Sequence, residues 1–205
     1  MFITSLIRRS MLVSLVILLA QVPFAHAGFV SLQPDTTFAA DGESILVSLT
    51  IGGLGNFGPD SLGAFDLSVG FDPSVLTFTG YSLGGLLGDL GLSQALDAST
   101  GDGGSAINLA EVSLLSPAAL DALQPDEFIV AVLGFDVSGL ASGATTLLSI
   151  LSGGLLVDAD GATLPITGTS GASIVGIPLP ATPLLFLVAL FGLAATRRSI
   201  ARGSL

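Results

Sequence analysis

The sequence predicts an all-β fold, an antiparallel β-sandwich, for the middle of a 205-residue chain. Three observations carry that reading. Short runs alternate apolar and polar residues, glycine, serine and aspartate punctuate them, and no long helical period occurs between Gly28 and Val175. The ends differ from the middle: Arg8, Arg9, Arg197, Arg198 and Arg202 are the only cationic Lys or Arg residues, whereas the sixteen acidic residues all lie between Asp35 and Asp160. The organisation expected is a signal peptide over 1–27, a β-sandwich over 28–175 and a sorting tail over 176–205.

The first segment has the three parts of a secretory signal. Arg8 and Arg9 form a basic start, Met11 to Ala20 is apolar, and Ala25-His26-Ala27 is a small-residue cleavage site for signal peptidase. Cleavage leaves Gly28 first and removes His26, the only histidine. The apolar run is too short for a membrane anchor, and Pro23 interrupts its far side.

In the middle, Ser44 to Gly52 alternates, with Ile45, Val47, Leu49 and Ile51 on one face and Ser48 and Thr50 on the other. Gly63 to Phe71 repeats the pattern: Phe65, Leu67, Val69 and Phe71 face inward, Asp66 and Ser68 outward. Asp72-Pro73-Ser74 turns the chain into a strand begun by Val75, Leu76 and Phe78, which reads as a hairpin. Short helical turns are expected at Leu83 to Leu90 and at Ala118 to Leu123 after Pro117. Glu127 to Val137 is apolar on both faces, as a strand covered from both sides would be. Strands follow at Ala144 to Leu151 and Gly154 to Asp158, and Asp158-Ala159-Asp160-Gly161 turns tightly into Ala162 to Thr167. Many short strands with turn signals make two packed antiparallel layers.

Composition excludes several functions. Nucleic-acid binding draws its affinity from Lys and Arg on phosphates, and the middle has neither. An anionic lipid or polymer would need a divalent cation to bridge two negative surfaces. Cysteine is absent, so stability rests on burial of apolar surface.

Without histidine, cysteine or lysine the mature middle lacks the common bases and the thiol or amine nucleophiles, which excludes triad hydrolases and leaves no catalytic residue assigned. Two-carboxylate glycosidase chemistry needs one raised pKa opposite a second carboxylate. Glu43, Glu111 and Glu127, with nearby aspartates, are the acids available for it, but nothing in their spacing assigns them to it, and solvated surface acids are the better explanation. Tryptophan is missing and Tyr81 is the only tyrosine, a poor supply for stacking on sugars. Asp158 and Asp160 look like the first half of a calcium loop but lack the later ligands and the bidentate glutamate, so a plain turn is the stronger reading; no other cofactor is expected.

Near the C-terminus, Ile177-Pro178-Leu179-Pro180-Ala181-Thr182-Pro183 has alternate prolines that enforce an extended backbone, and Pro183 can open a helix. Leu184 to Ala195 is uninterrupted apolar sequence, about 18 Å of helix against a hydrocarbon core of about 30 Å. Its eight Leu, Phe or Val residues give about −4 kcal/mol for insertion. The expected transmembrane helix spans 183–196, and the basic tail 197–205 holds it in the inner membrane with both ends of the precursor cytoplasmic.

The order of proline motif, apolar helix with Phe191-Gly192-Leu193-Ala194-Ala195, and Arg197-Arg198 resembles the PEP-CTERM sorting signal in its VPLPA-type variant. It departs from the pattern at Ile177, usually valine, and at Leu179, glutamate in the main family. The resemblance implies processing by an exosortase, a membrane cysteine peptidase-transferase of exopolysaccharide-producing Gram-negative bacteria.

Within the middle, Ala64-Phe65-Asp66-Leu67, then Phe71-Asp72-Pro73-Ser74-Val75-Leu76 leading to Gly80, and Phe135-Asp136-Val137 with Gly143 resemble the cohesin jelly roll of bacterial surface and scaffold proteins. The function expected is a non-catalytic exported envelope or extracellular-matrix protein that binds protein or polysaccharide, or associates with itself. The competing class is a secreted carbohydrate-active enzyme or small-ligand binding module with the same tail.

Overall fold

The computed structural model describes residues 28–102 and 104–178. Among the described residues, fourteen strands form two sheets that face one another. β1 (Gly28–Pro34), β3 (Ser44–Gly52), β5 (Leu76–Leu83), β9 (Glu127–Val137) and β13 (Ile166–Ser170) make a five-stranded sheet in the order β13-β1-β3-β9-β5. The second sheet holds β2 (Phe38–Ala40), β4 (Leu62–Gly70), β6 (Ala95–Asp97), β7 (Gly101–Asp102), β8 (Ala106–Ser113), β10 (Thr145–Ile150), β11 (Leu155–Asp158), β12 (Thr163–Leu164) and β14 (Ala172–Ile177). Its path runs β12-β11-β4-β10-β14-β2, while β8 lies along β4 and carries β6 and β7. All pairings are antiparallel except β1 with β13 and β14 with β2.

Alternation places the core where expected. Ile45, Val47, Leu49 and Ile51 of β3 are fully buried against Phe65, Leu67 and Val69 of β4 in one apolar cluster. Each such side chain contributes about 1.5–3 kcal/mol relative to leaving it in water. Phe71 and Phe78 approach the buried ring of Phe135 with centroids 5.3 and 5.8 Å away. Edge and tilted contacts of this kind suit the aromatic quadrupole.

The structure corrects three local readings. β4 and β5 are not a hairpin: β4 pairs with β8, β10 and β11, while β5 pairs with β9 in the other sheet. The Asp72-Pro73-Ser74 turn, closed by Leu76 N–H on the Asp72 carbonyl at 3.0 Å, carries the chain across the sandwich. Alternation tells which face of a strand is buried but not which sheet it joins.

β9 is not covered from both sides. Leu49 pairs with Ala131 and Thr50 with Ile129, so Val130 is a bulged residue. The bulge inverts the alternation: Phe128 and Val130 face inward before it, and Ala131, Leu133, Phe135 and Val137 after it. Ile129 remains 47% exposed, and the run looked apolar on both faces because two opposite phases meet at Val130.

Leu83 closes β5 rather than starting a helical turn, and the 3-10 turn comes later, at Leu90–Leu92, where Asp89 Oδ1 accepts from Gly91 N–H at 2.7 Å. The second helical expectation holds as α1 (Pro117–Leu123), with Pro117 in its first turn and Ser116 capping the Ala119 N–H at 3.4 Å. Removing that cap, Ser116→Ala, is expected to lower stability by about 1 kcal/mol in urea unfolding.

The last strand runs to Ile177, two residues past the boundary expected at 175, so the first residue of the proline motif belongs to the sandwich, paired with Ala40. Pro178 follows and is exposed. The signal-peptide residues Ala25 and Ala27, motif residues Leu179, Pro180 and Ala181, the apolar helix of 183–196, and Arg197 and Arg198 lie outside the described residues. Among the described residues no helix is long and apolar enough to cross a membrane.

Candidate functional site

The cross-strand registers define one row of side chains on each face of the nine-stranded sheet. Asp97 pairs with Glu111, Glu111 with Phe65, Phe65 with Leu156, and Leu156 with Leu164; from Glu111 to Leu164 this row faces the core, while Asp97 at its edge is exposed. One residue along, Leu96, Val112, Ala64 and Val157 stand abreast on four strands and face outward. Leu96 is 53% exposed and Val112 41%. Leu155, also exposed, sits in the next outward row beside Asp66, whose carboxylate accepts from Asn108 Nδ2 at 2.6 Å. The result is an apolar stripe across β6, β8, β4 and β11 with one acid at its flank.

Glu111 is the anomaly of the inner row. It is fully buried, and neither carboxyl oxygen has a hydrogen-bond partner. Burial first, and the charge of Asp97 second, push its pKa up to about 7. Asp97 is exposed and moves the other way: burial works to raise it, but donation from Ser99 and Tyr81 outweighs this and holds it below the usual carboxylate range. Ser99 N–H reaches Asp97 Oδ1 at 2.9 Å, and the Tyr81 hydroxyl, from the opposite sheet, reaches Oδ2 at 2.8 Å. Glu111 is therefore not the solvated surface acid expected from the sequence. The signal was present in Ile107, Leu109 and Glu111, which share one phase of β8.

Two adjacent acids with separated pKa values are the setting that glycosidase chemistry requires, but this pair has no room for a sugar, since Glu111 is sealed from solvent. The other two acids do not join it. Glu43 lies at the Ser44 end of β3 and its carboxylate accepts from Ala40 N–H at 2.8 Å, whereas Glu127 pairs with Gly52 at the far end. Eight residues of strand separate those ends, about 27 Å, far beyond the working spacing of a catalytic pair. A shallow cleft of ≈ 530 Å³ beside Phe71, Ser105 and Leu147 contains only Asp72 as an acid. The hydroxyl and then the N–H of Ser74 hold Asp72 below its ordinary pKa. A second cleft of ≈ 330 Å³, lined by Ile150, Leu155, Leu164 and Ile166, has none.

At the calcium-like turn, Asp158 Oδ1 accepts from Ala162 N–H at 2.7 Å and Asp160 N–H at 3.0 Å, and the segment joins β11 to β12 as a hairpin. That carboxylate closes the turn. Among the described residues no group of three or more His, Cys, Asp or Glu side chains is placed to hold a metal ion. Asp158→Ala is expected to cost about 1 kcal/mol, equally with calcium or with chelator, in paired thermal melts.

No protein-family model matches the sequence, and no curated protein matches it. Solved structures do. The sixth cohesin of Acetivibrio cellulolyticus scaffoldin B, in complex with a dockerin, superposes with a TM-score of 0.58 at 16% identity, over 74% of this chain and 99% of that one. The chain has the cohesin fold. A type II cohesin domain from the cellulosome of the same organism gives a TM-score of 0.58 at 19% identity, over 72% of this chain and 95% of its own. A type I cohesin in complex with dockerin from Clostridium thermocellum gives 0.58 at 10% identity, over 74% and 99%. The cohesin fold accounts for the two facing sheets.

Proposed function

We propose that the protein is an exported, non-catalytic module that binds a partner protein on the outer face of the nine-stranded sheet. The carrying observation is the stripe Leu96, Val112, Ala64 and Val157, in a chain whose core has ample places for such residues. Exposed apolar side chains that line up across strands mark an interaction surface. Solved cohesin-fold neighbours are held in complex with dockerins, which supports a protein as the occupant. Charge supports a different chain rather than a second copy: sixteen carboxylates and no Lys, Arg or His between Gly28 and Pro178 make two copies repel, while a partner offering a cation beside Asp66 gains.

Export and sorting belong to the same proposal. Gly28, first after the expected cleavage, lies in β1, is buried, and donates its N–H to Pro165 O at 2.9 Å. The tail then delivers the module to the cell envelope or its matrix through the exosortase-type route. Replacing Pro178 and Pro180 with alanine is expected to leave full-length precursor in the inner membrane; unaltered processing contradicts the sorting reading.

Photo-cross-linking tests the face. A benzophenone residue at Val112 or Leu96 in producing cells is expected to give one discrete adduct with another protein, lost when Leu155→Glu is added. The same probe at Leu46, on the outer face of the other sheet, is expected to give none. Equal adducts from both faces, or an adduct with a second copy, overturn the proposal, as does polysaccharide hydrolysis lost on Glu111→Gln.

A further inference from the structure

Glu111 and Asp97 sit where β8 meets a short strand at the edge of the sheet. β6 has three residues and pairs only with β8. The chain reaches it from β5 of the opposite sheet, so the segment between them bridges the two layers next to the strand that carries Glu111. Its flanks are fixed by Leu114 N–H on Gln94 O at 2.7 Å and Ala98 N–H on Ala110 O at 2.8 Å.

The carboxyl of Glu111 faces Phe65 from β4 and Asp97 from β6, with Tyr81 from β5 reaching Asp97. No donor among these serves it. A neutral carboxyl tolerates that enclosure. An ionised one would be desolvated beside a second carboxylate, with no cationic side chain in the domain to offset either. Moving Asp97 away and admitting water relieves both penalties, and lifting three residues off one edge is the smallest motion that does so.

We propose that residues 94–99 form a proton-controlled flap, closed over protonated Glu111 and released from β8 when Glu111 loses its proton. The flap includes Leu96, an end of the outward stripe, so release also breaks the row Leu96, Val112, Ala64 and Val157. The flap itself does not depend on what binds there.

The sign follows from the direction of the shift. An acid raised from 4.5 to about 7 favours the closed form at acid pH, and the preference falls away as pH rises through about 7. That displacement corresponds to an opening constant larger by up to about 300-fold in alkaline solution.

Hydrogen exchange of the protein purified from producing cells, corrected for the intrinsic pH dependence of exchange, is the test. Between pH 5 and pH 8.5 the amides of Ala98 and Leu114 are expected to lose about 100-fold or more in protection, while Val47 and Leu133 keep theirs. Glu111→Gln is expected to abolish the change. Asp97→Asn, an exposed site, is expected to shrink it and serves if the first variant does not fold. Constant protection at Ala98, a pH response that survives these substitutions, or parallel loss at Val47 and Leu133 overturns the flap.

Discussion

Replacing Gln124 with alanine is expected to lower the unfolding free energy by about 3–5 kcal/mol, among the largest losses a single change can cause. Gln124 is 1% exposed, and its amide spans three parts of the chain. Oε1 accepts from Leu62 N–H at 2.6 Å, and Nε2 donates to Leu62 O at 2.9 Å and Leu86 O at 3.0 Å. Its backbone carbonyl takes the N–H of Phe57 at 2.8 Å, holding a loop in which Asn56, Phe57 and Asp60 all have positive φ. Truncation orphans one buried donor and two acceptors, each worth about 1–3 kcal/mol when left unpaired. Gln124→Glu keeps the shape but removes both donors, and it is expected to do no better above pH 5. Urea denaturation with an unchanged m-value measures the effect. A loss below about 1 kcal/mol would mean that the clamp does not hold the start of β4 to the end of α1.

Glu111→Gln is expected to act in the opposite direction. Between about pH 4.5 and 7 the folded protein retains a proton on Glu111 that the unfolded chain gives up, so stability declines across that window and stays lower above it. The loss reaches about 3 kcal/mol at alkaline pH, limited by whatever opening of β6 relieves first. Glutamine cannot ionise. The variant is therefore expected to match the parent at pH 4.5 and exceed it by up to that amount at pH 8.5. Charge repulsion among the remaining carboxylates also grows with pH, but it is common to both proteins and cancels in the comparison. A parent and variant that melt in parallel from pH 4.5 to 8.5 would show that Glu111 is not enclosed.

Much of the fold was legible, because burial at period two is written directly in Ile45, Val47, Leu49 and Ile51 and in Phe65, Leu67 and Val69. Sheet membership was not. Nothing in Asp72-Pro73-Ser74 distinguishes a hairpin turn from a crossing between layers, since both need the same local reversal. The bulge at Val130 was hidden for a related reason: two opposite phases joined in Glu127 to Val137 look like one strand with two apolar faces. Pro165 separates β12 in one sheet from β13 in the other.

The candidate site was legible only in fragments. Ala64 and Asp66 read locally as parts of one strand, but the stripe exists through registers among β6, β8, β4 and β11, which are separated by up to about ninety residues in sequence. Residue type alone groups Glu111 with Glu43 and Glu127. What separates it from them is its phase with Ile107 and Leu109, a local signal, and its neighbour Asp97, a tertiary one.

The central claim is that the outer face of the nine-stranded sheet receives a partner protein. Hydrogen exchange of the purified protein, alone and with the partner identified through the Val112 cross-link, addresses it most directly. Added protection is predicted in residues 62–70, 95–97, 106–113 and 155–158, with β3 and β9 unchanged. Protection confined to β3 and β9, or absent from both sheets, would contradict it.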